Sequence, residues 1–246
     1  MTLATNHRDL THVTGRLTLY SLLATGFAFP TRDRLERLSS TVFPAVLMLE
    51  AAPGVDAALV ALRRSLTRDV DALREQHILL FPPIASQDAP GYETGYRGDG
   101  IFQQTAIVAD IAGFYRAHGL RAGGEERERP DHVVTELEFM AVVARKEALA
   151  LESGNPGNAS VCRDTSAAFL SDHLGCWAPA FGSRVAAVSA SPWYSALGEL
   201  LAVWVPEDMV GFGVEPVEVV ERPLPQEPPD DGACGPCPAP QAGRVP

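Results

Sequence analysis

A chain of 246 residues with a formal net charge of −11 and no cluster of Lys or Arg has room for a sizeable core and is a poor partner for nucleic acid or an anionic membrane. No apolar run reaches the length of a membrane span, and residues 1–9 lack the basic segment and apolar core of a secretory signal, so the expected location is the cytoplasm. Four cysteines in a chain this long make no disulfide framework.

Residues Gly15–Phe29 carry Leu17, Tyr20, Leu23, Ala24 and Phe27 at helical spacing, and Pro30 ends the run. A second helix is expected over Arg32–Ala52, interrupted near Pro44. A third is expected over Val55–Gln76, with Leu59, Leu62, Leu66, Val70 and Leu73 on one face and a charged, solvated face opposite. Ile78–Phe81 is a short apolar run that would be an orphan as a strand. Ile84–Gly100 reads as a long loop holding Tyr92, Glu93 and Tyr96, a length usually tied to function. Ile101–His118 is a fourth helix, striped by Ile107, Ile111, Phe114 and Tyr115 and stopped by Gly119.

The stretch that organises the chain starts at Pro130-Asp131-His132 and runs as a helix to about Glu152. Val133, Leu137, Met140 and Ala144 recur at steps of three and four, which puts them on one face. Pro130 suits a helix entrance, and Asp131 is placed to cap free N–H groups. Gly154-Asn155-Pro156-Gly157 stops the helix. Further helices are expected over Ser160–Leu174 and from Pro192 through Trp204. Every well-marked element is a helix with short connections, so the fold class is all-α: a single bundle-like domain over 1–205. Residues 206–246 hold half of the 20 prolines and an acidic run, and read as a proline-rich, extended or disordered C-terminal tail. Within it, Val214–Val220 alternates weakly, as one extended strand would.

Several constellations allow more than one chemistry. His132 and Glu136 lie four apart, on one face of a helix, a spacing compatible with two metal ligands, although no third His or Cys is placed beside them. Glu136 and Glu138 point to different sides and cannot flank one scissile bond. Cys234-Gly235-Pro236-Cys237 has dithiol spacing but lacks a strand-to-helix setting; it could also supply half of a zinc site with Cys162, Cys176 or His173.

Pro130-Asp131-His132 followed by Glu136-Leu137-Glu138-Phe139-Met140 resembles the signature of the TorD/DmsD/NarJ family. Arg16 at the start of the first apolar stripe, the close on Phe27-x-x-Pro30, Tyr92-Glu93, and Trp177-x-Pro179-x-Phe181 extend the resemblance over roughly 16–204. It implies an all-helical cytoplasmic chaperone, not an enzyme, that assists maturation of a molybdopterin-dependent oxidoreductase. Its partners would be the client's catalytic subunit and N-terminal twin-arginine signal peptide. No cofactor would be bound permanently, only a transient contact with the client's molybdopterin guanine dinucleotide. The client-binding residues implied are Pro130, Asp131, His132, Glu136, Glu138, Tyr92, Glu93, Tyr96 and Tyr115, with an acidic groove near Asp131, Glu136 and Glu138 facing a basic signal helix. The long tail with its dithiol points to the subgroup serving dimethylsulfide or ethylbenzene dehydrogenase and chlorate or selenate reductase. Two other readings stay open: a helical metal-dependent hydrolase using His132 and Glu136, and a redox or metal-delivery protein using Cys234 and Cys237.

Overall fold

The protein is known from a computed structural model that describes residues 2–46, 52–82, 88–98, 100–122 and 128–216. Among them every regular element is helical, as the class expected from the sequence requires. Helix α1 (Thr2–Phe27) lies along α8 (Val133–Glu152). Their seam contains Val13, Ala144 and Ala148, whose short side chains let the two axes approach. The deeper part of α1 buries Leu19, Tyr20, Leu22, Leu23 and Phe27 in the main core, each large apolar side chain contributing about 1.5–3 kcal/mol.

The second helical stretch is divided, as its proline foretells. Helix α2 (Arg32–Arg37), capped by the Thr31 hydroxyl, passes into a π-turn over Leu38–Val42 and then α3 (Phe43–Val46). The widened turn sits just ahead of Pro44, which has no N–H to continue an α-helical ladder. Its expected end at Ala52 crosses residues outside those described.

The single helix expected over Val55–Gln76 is two helices, α4 (Pro53–Ser65) and α5 (Val70–Leu80). The break has a local cause. The Asp69 carboxylate accepts from Ala72 N–H at 3.0 Å, and the Thr67 hydroxyl accepts from Asp69 N–H at 3.1 Å. Side chains that compete for backbone donors favour a turn and a fresh start over continuation. Ile78–Leu80 complete α5 and form no strand.

A single turn, α6 (Thr94–Arg97), precedes α7 (Ile101–Ala117), which stops at Gly119 with φ +71°. After α8, Gly154 takes φ +66°, and the Asn155 side chain caps α9 (Pro156–Asp172) by accepting from Asn158 N–H at 3.1 Å. That cap starts the helix four residues earlier than the apolar pattern alone indicates. A 3₁₀ turn over Leu174–Cys176 leads to α10 (Ala178–Val188) and α11 (Pro192–Gly211).

Helices α10 and α11 meet backbone to backbone. A Cβ on Gly182 would fall 2.6 Å from the Gly198 carbonyl oxygen, and one on Gly198 would fall 2.5 Å from that of Gly182. Only hydrogen fits there. Helix α11 also continues past Trp204, where its apolar pattern reads as ending, through Pro206 to Gly211. Burial explains it: Tyr20 donates to Asp208 at 2.6 Å, and Met209 packs where Gly175 leaves room. Tertiary contacts there outweigh the one hydrogen bond a proline removes. Val214–Pro216 follow without regular structure. The rest of the expected 214–220 strand, the tail beyond it and Cys234 and Cys237 lie outside the described residues.

Candidate functional site

Two backbone hydrogen bonds join the entrance of α8 to the segment ahead of α6. Glu93 N–H donates to the Asp131 carbonyl and Val133 N–H to the Gly91 carbonyl, each at 2.9 Å. Tyr92 and His132 thereby pair as an isolated antiparallel bridge, with their rings 5.0 Å apart. The Tyr115 hydroxyl donates to the Pro130 carbonyl at 2.7 Å and pins the same entrance from α7. Burial raises its pKa, so the hydroxyl remains a donor.

The spacing predicts a capping role for Asp131, but the residue that caps α8 is His132. Its Nδ1 accepts from Val134 N–H at 3.4 Å. Asp131 turns inward, without exposed area, and accepts from the Thr94 hydroxyl at 2.7 Å. It also takes a bidentate pair from Arg129, at 3.0 and 2.9 Å. A guanidinium fork and a hydroxyl are stronger donors than the free amides of a helix end.

Glu136 is fully buried as well, accepting from the Trp177 indole N–H at 3.1 Å, while its Oε1 has no hydrogen-bond partner. Burial first, and the neighbouring Glu93 second, push its pKa well above the carboxylate range. Glu93 is enclosed by His173, whose Nδ1 lies 3.2 Å away, and by Arg97, which also donates to the Asp172 carbonyl. Tyr96 is half-buried, its ring 5.3 Å from that of Trp177 and beneath the Arg184 guanidinium. Pro130 is half-buried and Glu138 exposed. The expected acidic groove is therefore absent among the described residues. Asp131, matched by Arg129 and Thr94, and Glu136, held by the Trp177 indole, face the interior, and of the three only Glu138 meets solvent.

What opens to solvent beside this cluster is an aromatic cleft of about 680 Å³. Phe27, Phe29, His77, Phe81, Tyr92 and His132 line it, with the exposed Glu128 and Arg129 also contributing. The rings form a chain: Phe29 lies 5.3 Å from His77, and His77 5.0 Å from Phe81. Arg129 stands over the Tyr92 ring at 4.9 Å. Burial depresses both imidazoles below their ordinary 6.5, His132 to about 4, so both are neutral at pH 7. Phe29 is 40% and Ile78 51% exposed. A neutral, ring-lined cleft with one cation and one carboxylate suits an apolar segment flanked by polar groups.

Of the nine site residues expected from the sequence, Tyr92 and His132 line this cleft. Glu93, Asp131, Glu136 and Tyr115 form the buried support behind it. Sequence reasoning passes over Phe29, His77 and Phe81. A faint signal exists, since Phe29 and Phe81 each stand directly before a proline, at helix ends. It also passes over Arg97 and His173 as partners of Glu93, although Arg97 lies four residues beyond it.

The hydrolase reading loses its geometry. His132 is a cap outside the helix and Glu136 is turned to Trp177, so the expected shared face does not form. Among the described residues no group of three or more His, Cys, Asp or Glu stands together to hold a metal. Among them, too, no helix is long and apolar enough to cross a membrane.

Comparison with known proteins agrees with the resemblance read from the Pro130–Met140 block. A selenate reductase assembly chaperone protein of Thauera selenatis is 38% identical over 97 residues, 39% of this chain and 49% of the relative. A chlorate reductase assembly chaperone protein of Ideonella dechloratans is 35% identical over 97 residues, with the same coverage of 39% and 49%. A perchlorate reductase assembly chaperone protein of Dechloromonas aromatica is 27% identical over 196 residues, 75% of this chain and 84% of the relative. The chain thus spans about half the length of the first two relatives. The model of the nitrate reductase delta subunit family matches residues 49–183, a stretch that holds α8, the Tyr92–His132 bridge and most of the cleft, and the chain belongs to that family.

Proposed function

We propose that this chain is a non-catalytic assembly chaperone of the cytoplasm. It binds the catalytic subunit of a molybdopterin-dependent oxidoreductase before cofactor insertion and export. The observation that carries the reading is the aromatic cleft built directly on the Tyr92–His132 bridge, within the stretch matched to a family whose relatives here are named as reductase assembly chaperones. The apolar face of the client's twin-arginine signal peptide, folded as a short helix, occupies the cleft in this reading. The net charge of −11 steers the peptide's basic end toward the protein. Contact with the client's molybdopterin guanine dinucleotide is transient, and the client belongs with the oxyanion reductases for which the relatives are named.

Affinity capture of the full chain from its native cytoplasm tests the class, and titration with the captured subunit's N-terminal peptide tests the site. A molybdoenzyme catalytic subunit is expected in the capture. Phe29→Lys, at an already exposed rim position, is expected to weaken the peptide about tenfold, or about 1.4 kcal/mol, with an unchanged melting temperature. Capture without any molybdoenzyme subunit would overturn the reading. Equal binding by the variant would move the site away from the cleft.

A further inference from the structure

The segment 88–98, here the strap, forms the Tyr92 wall of the cleft and is closed onto the body largely by polar contacts. Thr94 bonds to Asp131, Glu93 to His173 and Arg97, and the strap backbone to the entrance of α8. One contact is mismatched. Glu136, in the first turn of α8, presents a fully buried carboxyl toward the equally buried Glu93. Among the described residues no cation pairs with Glu136: it accepts from one indole N–H, its Oε1 finds no donor, and its carboxyl stands within hydrogen-bond reach of that of Glu93. The nearby cations are engaged elsewhere: Arg97 of the strap is bound to Glu93, and Arg129 at the α8 entrance is bound to Asp131. Two buried carboxylates sharing such a site cannot both be charged at low cost.

We propose that the strap is a proton-linked clasp: Glu136 closes it as a neutral carboxylic acid, and loss of that proton drives Glu93, and with it Tyr92, away from the body. The direction of motion follows from the anchoring. Glu136 sits within a 20-residue helix packed on its neighbours, whereas Glu93 belongs to a short segment with one helical turn. Like-charge repulsion therefore moves the strap. The groups that face Glu136 are all consistent with this sign. From the strap comes Glu93, backed by Arg97, and from the α8 entrance Asp131, backed by Arg129. Trp177 bonds to it from the turn after α9, and Tyr115 on α7 and Cys176 in that turn feel its charge. His173 reaches Glu93 rather than Glu136, and its other ring nitrogen lies 3.4 Å from Asp110. The raised Glu136 pKa gives the same order: stability of the closed strap is complete at low pH and declines as pH rises through the folded-state value. As regulation of the cleft, the clasp rests on the function proposed above, but its chemistry does not require a client.

The test uses the client-free full chain and Glu136→Gln, an amide that keeps the shape and the acceptor for Trp177 but has no proton to lose. Infrared difference spectra between parent and variant at neutral pH are expected to show a protonated-carboxyl band in the parent only. Hydrogen exchange at the Glu93–Arg97 amides, as the ratio of parent to variant at matched pH, is expected to rise by up to about tenfold per pH unit while the closed strap holds a proton that the open strap releases, and to level off above the folded-state value. A carboxylate signature at neutral pH, a band that survives in Glu136→Gln, or equal exchange at every pH would each overturn the clasp. So would failure of the variant to fold, since a neutral isostere should keep the strap closed. Failure of the client titration with these results intact would condemn the proposed function alone.

Discussion

The α10–α11 crossing and the strap both hold fully buried groups, yet they respond to opposite perturbations. At the crossing, Gly182 and Gly198 bring two backbones together, and Phe181 sits fully enclosed among Phe27, Phe81 and Trp177. Contacts of this kind are sensitive to single carbon atoms and indifferent to pH. At the strap, enclosed carboxylates are matched to an arginine, a hydroxyl, an indole and an imidazole. Contacts of that kind tolerate isosteres and respond to protons. The rigid end supplies a fixed frame, and the polar end supplies the Tyr92 wall of the cleft.

The largest effect should come from Phe181→Ala, which empties space in the rigid end and should cost about 4 kcal/mol in urea unfolding. A loss below about 1 kcal/mol would mean the cluster collapses onto the gap and the end is less rigid than its packing indicates. Gly198→Ala comes next, at about 3 kcal/mol, because the new methyl meets the Gly182 carbonyl and, at 2.8 Å, the Ala186 backbone nitrogen. Near-neutral stability in that variant would break the contrast, by showing that the helices part easily.

The pH response sharpens it. His132 titrates near 4 in the folded chain against an ordinary 6.5 because burial opposes its charge. Its contribution is complete above pH 6.5 and is lost as pH falls toward 4. Asp208, raised from 3.8 to about 6 by burial beside Arg16 and Tyr20, contributes fully below 3.8 and loses that contribution as pH rises through about 6. The two slopes oppose one another, each worth about 3 kcal/mol. Relative to the parent, His132→Gln should therefore lose a component that rises between pH 4 and 6.5, and Asp208→Asn one that falls between 3.8 and about 6. Identical curves in both variants and the parent would exclude these groups as the source. The smallest effect is expected from Thr94→Val, which removes one donor from Asp131 while Arg129 keeps its pair. A cost of about 1 kcal/mol is expected, seen in hydrogen exchange at the strap and not at α10 or α11.

Much of the rigid end is legible from residue order. The spacing of Leu59 and Leu62, of Leu137 and Met140, and of Leu197, Leu200 and Leu201 marks faces that are buried in the fold. The break at Thr67–Asp69 is also written locally, in side chains that capture backbone donors. Those residues read as an exposed face only because capture and exposure draw on the same polar types. The extension of α11 is not written locally. Pro206 signals an end, and the helix continues because Asp208 and Met209 are buried against α1 and the 3₁₀ turn.

The site divides along the same line. The signature block marks the region, and Tyr92 and His132 do line the cleft. Which carboxylates face water was not readable, since a surface charge and a buried one have the same letter. Asp131 is enclosed because Thr94, 37 residues away, turns toward it, and Glu136 because Trp177, 41 residues away, does. By itself the sequence determined the helices, their apolar faces and the family, because periodicity and a contiguous motif are properties of neighbouring residues. The tertiary structure alone decided that four predicted site residues are buried support behind an aromatic cleft. Burial and donor supply depend on segments that meet only when the chain is folded.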